Sequence, residues 1–184
     1  MLCFTGKEEP YMKIAVLGYS GSGKSTLAKY FGSLYGIPVL YLDRVHFLPG
    51  WKVRKTDDAL ALVSKFMEQD SWVIDGNYTK YLQKERLSQA DRIIYMRFSR
   101  CACLWRILKR YFRYRKTSRE SIAEGCEEKI DAEFLRWILF DGRSRAKQAH
   151  AAEILQTYPG KTTMLKNQRQ LSEFMRSPFS EKKV

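Results

Sequence analysis

Residues 18–26 bring glycines, hydroxyl groups and a lysine together at a spacing that suits a phosphate chain. The segment follows the pattern GxxxxGK[ST] and comprises Gly18, Tyr19, Ser20, Gly21, Ser22, Gly23, Lys24, Ser25 and Thr26. Glycines let such a loop turn tightly, so that its backbone N–H groups point at phosphate oxygens and Lys24 reaches the terminal phosphates. The Ser25 hydroxyl is placed to ligate Mg²⁺, and a helix that begins there adds the positive end of its dipole. We therefore expect residues 18–26 to bind ATP, with Mg²⁺ as the metal.

The segments on either side of this loop have the character that the motif requires. Residues 12–17 are mostly apolar and predict a buried parallel strand. After the loop, apolar residues recur at 27, 30, 31 and 34, which is helical spacing. The order of strand, glycine-rich turn and helix favours a phosphate-binding loop over a flexible Gly/Ser segment that contains a lysine by chance.

An acidic residue that follows a later strand is a candidate for the metal site. Asp75 comes directly after the apolar segment 72–74. Mg²⁺ prefers oxygen ligands and keeps several waters, so Asp75 can orient one of those waters while Ser25 ligates directly. The alternative is that Asp75 caps the helix that follows.

Asp43 and His46 follow another predicted strand, residues 38–42, and are candidates for work on a second substrate. A carboxylate in this position can accept a proton from a substrate hydroxyl, and a histidine can orient the substrate or share the proton transfer. The alternative is an Asp–His pair that closes a loop. Trp51 and Tyr78 can stack on a planar ring, although core packing explains either aromatic side chain equally well.

A strongly amphipathic helix is predicted over residues 100–114, and its charges are cationic. The apolar face of this helix is predicted to consist of Cys101, Leu104, Trp105, Leu108, Tyr111 and Phe112. Arg106, Arg110 and Arg113 fall at i, i+4 and i+7 and form one ridge. No acidic residue lies between residues 97 and 119, and like charges at this spacing repel one another. We therefore expect the ridge to face an anion; the alternative is a solvated basic surface.

The segment after this helix, residues 116–130, is polar and lacks periodicity. It has the character of a lid. A closing lid would bring Arg119 onto the phosphates and expel water, as phosphoryl transfer requires.

Composition limits the class of protein without deciding among its partners. The chain has 184 residues, a mass of 21.6 kDa and a net charge of +13, which favours polyanionic partners such as nucleotides or non-specific DNA. It has no run of about 18 apolar residues, so we expect no membrane span. Four cysteines without a metal or disulfide spacing predict reduced thiols and a cytoplasmic location.

Strands alternate with helices along the chain, which predicts an α/β fold with helices on both faces of a parallel sheet. Strands are predicted at residues 12–17, 38–42, 72–74, 92–98 and 161–165, and helices at 26–34, 57–69, 79–89, 100–114, 131–156 and 168–176. We expect one domain over residues 12–176, with a lid at about 115–130. Residues 1–11 are expected to form a loose extension, with Met12 as a candidate start, and residues 177–184 a frayed tail.

Several of these segments together resemble a known family. The segments GYSGSGKSTLA, LDRVHFLPGW, WVIDGNY, LWRILKR and AEGCEEKID are similar to those of the bacterial DNA topology-modulation proteins, within the adenylate kinase-like superfamily of P-loop NTPases. The resemblance spans residues 12 to about 176. It implies a three-layer α/β/α fold whose five-stranded parallel sheet has the order 2-3-1-4-5.

The resemblance also implies roles for particular arginines. Arg106 would lie over the adenine, Arg110 near the phosphates, and Arg119 would be a lid arginine; a second lid arginine would be Arg136 or Arg143. The roles implied for Arg106, Arg110 and Arg119, like that of Lys24, place positive charge around a bound nucleotide.

On the acceptor side the sequence departs from adenylate kinases. Asp75-Gly76 resembles their DGxPR element, but Asn77-Tyr78-Thr79 follows, which removes the proline and arginine and argues against AMP recognition. Asp43-x-x-His46 is similar to the acceptor end of kinases that act on hydroxylated small molecules such as gluconate or uridine. The candidate catalytic residues are Lys24, Asp43, Arg110 and Arg119, and the candidate substrate-binding residues are Asp43, His46, Trp51, Gly76, Asn77 and Tyr78.

Three functional hypotheses remain open from the sequence. The first is a phosphotransferase that passes the γ-phosphoryl group of ATP to a small acceptor, which is a nucleoside, a nucleotide or a hydroxylated metabolite. The second is a DNA-associated ATPase or regulator of DNA topology that contacts backbone phosphates through a basic surface. The third is a nucleotide-dependent switch without turnover. Monomer and homodimer are both compatible with the sequence.

Overall fold

The structure is a computed structural model that describes residues 11–114, 121–123, 125–126 and 130–179. The extension expected at residues 1–11, apart from its last residue, and residues 180–184 of the expected tail therefore lie outside the described residues. Among the described residues, no helix combines the length and the apolar character that a membrane crossing requires.

Five parallel strands form the central sheet, and two short strands form a separate antiparallel hairpin. The strands are β1 (Lys13–Gly18), β2 (Val39–Tyr41), β3 (Phe47–Leu48), β4 (Lys52–Val53), β5 (Trp72–Asp75), β6 (Arg92–Met96) and β7 (Thr162–Leu165). The sheet order is β2-β5-β1-β6-β7, and the hairpin pairs β3 with β4. β1 therefore lies at the centre of the sheet and carries the glycine-rich loop from its carboxyl end.

The numbering of this order differs from the predicted 2-3-1-4-5, because the hairpin was not expected and takes two strand numbers. Residues 47–53, where no strand was predicted, form this hairpin, with Phe47 opposite Val53 and Leu48 opposite Lys52. When the five strands of the parallel sheet are counted by themselves along the chain, they lie in the order second, third, first, fourth, fifth.

Helices cover both faces of the sheet. They are α1 (Lys24–Tyr35), α2 (Leu42–His46), α3 (Thr56–Met67), α4 (Gln83–Gln89), α5 (Arg100–Tyr114), α6 (Ala132–Leu139), α7 (Arg145–Thr157) and α8 (Gln168–Arg176). Short 3₁₀ turns occur at Pro49–Trp51 and Asp141–Arg143.

The predicted long helix over residues 131–156 is wrong, because the chain breaks between α6 and α7. Phe140 leaves the helical region at φ −129° and ψ −67°. Ser144 then begins α7 as an N-cap whose side chain accepts a hydrogen bond from the Lys147 N–H. The predicted start of α4 at residue 79 also moves, since Leu82 lies at φ 51° and regular helix begins at Gln83.

Alternating side chains of β1 point to opposite faces of the sheet, and each set packs against the helices that cover that face. Ile14 and Val16 pack with α1, α5 and α8 on one face, whereas Ala15 and Leu17 pack with α3, α4 and α7 on the other. All four side chains are almost completely buried. This is the three-layer α/β/α arrangement, and it places every strand's carboxyl end at one edge of the sheet.

An aromatic cluster attaches the described part of the C-terminal tail to this core. The Phe31 ring on α1 is fully buried and stacks with Phe179 at 5.3 Å between centroids. Phe174 of α8 lies 6.0 Å away and Tyr35 6.1 Å away. The tail was expected to fray from residue 177, but Phe179 packs against the domain.

We expect Phe31→Ala to destabilise the fold by about 3–5 kcal/mol, because it removes buried apolar contacts and leaves a cavity under the tail. Leu34→Ala on the same helix is the matched control, since Leu34 is 42% exposed. Urea unfolding followed by circular dichroism measures both. An equal, small loss for the two variants would contradict the packing described for Phe31.

Candidate active site

The carboxyl ends of β2, β5 and β1 bring the predicted site residues together. β1 and β5 are paired with Val16 opposite Asp75, and β2 and β5 with Tyr41 opposite Asp75. The glycine-rich loop, the segment that begins at Asp75 and the helix that carries Asp43 therefore leave the sheet side by side. Because polar residues follow three neighbouring strands, their side chains can act on one bound ligand pair.

The glycine-rich loop approaches its neighbours too closely for side chains at two positions. A Cβ atom on Gly18 would lie 2.3 Å from the Met96 carbonyl oxygen, and one on Gly21 would lie 2.6 Å from Cδ1 of Ile107. Both glycines also have positive φ, 139° and 76°. The loop is therefore held tightly between β6 and α5. Lys24 at its end donates from Nζ to the Tyr19 carbonyl at 3.2 Å.

Ser25 and Asp75, the two residues that the sequence predicts to hold the metal, are hydrogen-bonded to each other. The Ser25 Oγ donates to Asp75 Oδ2 at 2.6 Å, and Asp75 is only 5% exposed. Hydroxyl and carboxylate oxygens are ligand types that Mg²⁺ accepts, so these donors fit the ion. The described residues hold no group of three or more His, Cys, Asp or Glu side chains that could bind a metal, so phosphate oxygens and water would have to complete its shell.

Asp43 is hydrogen-bonded to Tyr78 across the site. The Tyr78 hydroxyl donates to Asp43 Oδ1 at 2.8 Å. Burial, and then the neighbouring Asp43 charge, raise the pKa of Tyr78 far above its usual value, so the phenol stays protonated and keeps donating. Asp43 itself is half-buried, and the hydrogen bond fixes the direction of its carboxylate.

His46 lies among aromatic rings beside this pair. Its Nδ1 is 2.7 Å from the Tyr81 hydroxyl, and its ring centroid is 4.9 Å from that of Tyr78. Burial, and then the positive charge of Lys80, lower the pKa of His46, while Asp43 opposes the shift. When the ring is neutral, Nδ1 can accept a hydrogen bond from the Tyr81 hydroxyl, and Nε2–H is left as a donor.

The remaining predicted substrate residues lie in different surroundings. The Trp51 ring packs on Phe47 at 5.0 Å between centroids, at the end of the hairpin. Gly76 has φ 138°, and a Cβ atom there would lie 2.8 Å from the Leu42 Cβ, so this glycine allows close packing against α2. Asn77 binds the glycine-rich loop, with Gly18 N–H donating to its Oδ1 at 2.9 Å and its Nδ2 donating to the Gly18 carbonyl at 2.6 Å.

Sequence reasoning missed Arg86, which holds the segment that carries Asn77 and Tyr78. Arg86 is completely buried, and its guanidinium donates to the carbonyls of Tyr81 and Tyr78 at 2.8 Å and of Gly76 at 3.3 Å. Burial lowers the pKa of Arg86 to about 10, so the side chain is still cationic at neutral pH. The sequence did contain a signal of this burial, because Arg86 lies next to Leu87 on the buried face of α4.

α5 presents Arg106 to the glycine-rich loop. Arg106 donates through Nη1 to the Ser22 carbonyl and through Nη2 to Gln168 Oε1, and its guanidinium lies 4.1 Å from the Phe98 ring centroid. Arg110 is half-buried, and Arg113 is exposed. The arginines of the predicted ridge therefore have different surroundings: Arg106 contacts the glycine-rich loop, whereas Arg113 is exposed to solvent.

The apolar face predicted for α5 is wrong. The helix buries Cys103 and Ile107 completely, whereas Trp105 is 69% and Phe112 is 72% exposed. The choice of face is decided by the glycine-rich loop, because Gly21 has no side chain and leaves room for Ile107. That contact joins segments far apart in sequence, so helical periodicity did not reveal it.

Of the two alternatives for a second lid arginine, Arg143 lies beside the loop. Its guanidinium is 3.8 Å from the Tyr19 ring centroid, and Nη2 donates to Cys103 Sγ at 3.2 Å. Arg136, in contrast, is 74% exposed and forms an ion pair with Asp141. Arg119 lies outside the described residues.

Part of the expected lid contacts the hairpin. Within residues 115–130, only 121–123, 125–126 and 130 belong to the described part of the chain. Cys126 is buried, and its Sγ donates to the Leu48 carbonyl at 3.4 Å and accepts from the Trp51 N–H at 3.3 Å. Cys126 therefore lies against the turn between β3 and β4.

Comparison with known proteins finds a match in structure but none in sequence. No family model matches the chain, and no curated protein matches it, the expected DNA topology-modulation family included. Among solved structures, the chain is similar to a gluconokinase from Sinorhizobium meliloti 1021, with a TM-score of 0.52 and 18% sequence identity. The match covers 92% of this chain and 90% of that chain. The chain therefore shares the fold of that kinase over almost its whole length.

The lowered pKa of His46 predicts a pH effect on stability. The unfolded state binds the proton more tightly than the folded state, so this histidine contributes a loss of stability as pH falls through the unfolded value near 6.5. We expect His46→Asn, which can still bond to the Tyr81 hydroxyl, to lose less stability between pH 7 and pH 5 than the wild type. Urea midpoints at both pH values measure the difference. Parallel losses in the two proteins would contradict it.

Proposed function

We propose that the protein is an ATP-dependent phosphotransferase that acts on a small hydroxylated acceptor. The observation that carries the proposal is that Ser25 of the glycine-rich loop bonds to Asp75, while Asp43 and Tyr78 form a second polar pair at the end of the neighbouring strand. The first pair suits the phosphate chain and its metal, and the second suits a hydroxyl group. A kinase needs both at one edge of the sheet.

On the nucleotide side, the loop amides and Lys24 would bind the phosphates, with the side chains of Ser20, Ser22 and Thr26 nearby. The Nζ of Lys24 donates to the Tyr19 carbonyl at 3.2 Å. When nucleotide binds, Nζ would donate to a phosphate oxygen instead. Arg106 would cover the adenine, as the resemblance implies. Arg110, Arg119 and Arg143 would neutralise the charge that develops during transfer.

Ser25 and Asp75 would hold Mg²⁺, with Asp75 acting through bound water. When bound, the ion would neutralise phosphate charge and fix the orientation of the phosphate chain. The chain's contribution is the rigid placement of the two oxygen donors at the β1–α1 and β5 ends.

On the acceptor side, Asp43 would accept the proton of the acceptor hydroxyl. The acceptor oxygen would form a bond to the γ-phosphorus, the bond from that phosphorus to the bridging oxygen would break, and ADP would leave. Tyr78 orients the carboxylate, and His46 would donate from Nε2 to another acceptor oxygen. The rings of His46, Tyr78 and Trp51 would form an aromatic wall around the acceptor.

The gluconokinase neighbour supports a hydroxylated metabolite as the acceptor, since that protein is named for such a substrate. A nucleoside or nucleotide is the other acceptor class that the sequence left open. The missing proline and arginine after Gly76 disfavour AMP. The same proposal includes one domain over residues 12–176, with a lid near 115–130.

The alternative of a DNA-associated ATPase rests on the outer face of α5. Lys109 and Arg113 are exposed there beside Trp105, and the chain carries a net charge of +13. Arg106 turns to the loop, which leaves fewer cations for DNA than the sequence indicated. A role in DNA topology would follow from the resemblance alone.

Lys24→Ala is expected to lower turnover by at least about 100-fold and to weaken ATP binding, because it removes the cation that reaches the terminal phosphates. The measurement is ADP release in a screen of nucleosides, nucleotides, sugars, sugar acids and duplex DNA. Lys65→Ala, at an exposed position of α3, is the matched control. Unaltered turnover in Lys24→Ala would refute the assignment, and stimulation by DNA with no small acceptor would favour the alternative.

Asp43→Asn is expected to slow transfer to the best acceptor by about 10²–10⁴-fold while changing ATP affinity little, because the amide cannot accept the proton. Single-turnover transfer and ATP-analogue binding separate the two effects. Asp70→Asn, an exposed aspartate, serves as the control. A collapse of ATP affinity in Asp43→Asn would instead make Asp43 a part of the metal site.

A further inference from the structure

Asn77 makes an unusual two-point contact with the first residue of the glycine-rich loop. Its side-chain amide accepts from the Gly18 N–H at 2.9 Å and donates to the Gly18 carbonyl at 2.6 Å, across 59 residues of sequence. The backbone bond from Gly76 N–H to the Val16 carbonyl, at 3.1 Å, lies just before it. The side chain of Asn77 thus extends the β1–β5 hydrogen-bond ladder by one step, onto the loop.

The opposite side of Asn77 is fixed as well. Its backbone carbonyl accepts from Nε2 of Gln83 at 2.9 Å, and Gln83 is only 5% exposed. The other end of the Gln83 amide, Oε1, lies 2.6 Å from Nε2 of His150 on α7. Arg86 binds the carbonyls of the residues on either side, Gly76 and Tyr78. Although Asn77 is exposed, its backbone carbonyl and both polar atoms of its side chain are therefore hydrogen-bonded within the protein.

Gly18 needs such a support. It has φ 139°, and glycine has the greatest backbone freedom of any residue, so its conformation is set by its surroundings. The orientation of the Gly18 peptide decides where the loop amides that follow will point. The next residue after Asn77 is Tyr78, which bonds to Asp43.

We propose that Asn77 is a positioning residue: it fixes Gly18, and with it the phosphate-binding loop, in register with the Asp43–Tyr78 pair. The assignment rests on the proposed function for its consequence, which is the alignment of a phosphate chain with an acceptor hydroxyl. It is a separate assignment from the substrate contact that the sequence predicts for Asn77.

Asn77→Asp provides a specific test, because aspartate has the same shape as asparagine. An ionised carboxylate can still accept from the Gly18 N–H, but its second oxygen faces the Gly18 carbonyl oxygen and cannot donate. Both Asn77→Asp and Asn77→Ala therefore lose the bond to the Gly18 carbonyl, and Asn77→Ala does so without adding a charge that could repel a phosphate. At pH 8, both should bind a fluorescent methylanthraniloyl-ATP with Mg²⁺ about tenfold more weakly than the wild type, whereas Thr79→Ala, at a neighbouring exposed position, should bind as the wild type does.

Other titrating groups face this region, so all proteins are compared at one pH. They are His150 behind Gln83, His46 and Asp43 beside Tyr78, Asp75 before Gly76, and the cations Lys24, Lys80 and Arg86. Because they are common to all variants, only a loss that Asn77→Asp and Asn77→Ala share and Thr79→Ala lacks supports the assignment. Gln83→Met, which removes a support of Asn77 at a distance, should weaken binding in the same direction but less.

A second measurement does not depend on nucleotide binding. In nucleotide-free protein, the Gly18 amide hydrogen should exchange with solvent at least about tenfold faster in Asn77→Ala than in the wild type or in Asn77→Asp, because only Asn77→Ala removes its acceptor. Near-ultraviolet circular dichroism verifies that each variant folds. If the wild type fails to bind the ATP analogue, the proposed function fails, and exchange of the Gly18 amide still decides the role of Asn77. An Asn77→Ala protein that binds the analogue as the wild type does, or whose Gly18 amide exchanges as slowly as in the wild type, would overturn the assignment.

Discussion

The buried guanidinium of Arg86 is the interaction on which the candidate site depends most. It binds the carbonyls of Gly76, Tyr78 and Tyr81 and so fixes the segment between β5 and α4. That segment supplies Asn77 to the glycine-rich loop, Tyr78 to Asp43 and Tyr81 to His46. Backbone polar groups that are buried must be satisfied, and here one side chain satisfies three of them. Loss of that side chain would leave carbonyls without donors and release three contacts of the site together.

Positive charge near the loop is held by aromatic rings as well as by hydrogen bonds. Arg106 lies over Phe98, and Arg143 lies over Tyr19. Cations placed over ring faces are stabilised without an acidic partner. This arrangement stabilises Arg106 and Arg143 beside the loop, and it leaves their charge available to an anion such as a phosphate chain. A carboxylate partner would have cancelled the attraction that a nucleotide site needs.

The parts of the site that were predictable from sequence are those set by local chain geometry. The GxxxxGK[ST] spacing gave the loop between β1 and α1, and an acidic residue after an apolar strand gave Asp75, which the structure places 2.6 Å from Ser25. The alternation of strands and helices likewise gave the parallel sheet. Each of these features is read within about ten residues of chain, where backbone preferences and hydrophobic periodicity act directly.

The features that could not be predicted depend on contacts between distant segments. The buried face of α5 follows from the space above Gly21, the role of Asn77 from its pairing with Gly18, and that of Arg86 from three carbonyls on another element. The break between α6 and α7 had a local signal in Asp141-Gly142-x-Ser144, because Ser144 is an N-cap residue type, but helical periodicity on both sides obscured it.

The stacking of Phe179 on Phe31 has a practical consequence for handling the protein. A boundary drawn at the end of α8, after Arg176, would remove a ring that stacks on Phe31 of α1, the helix that follows the glycine-rich loop. Shortened versions intended for crystallisation should therefore retain residue 179, and an affinity tag joined before it would have to displace an aromatic side chain from the hydrophobic interior.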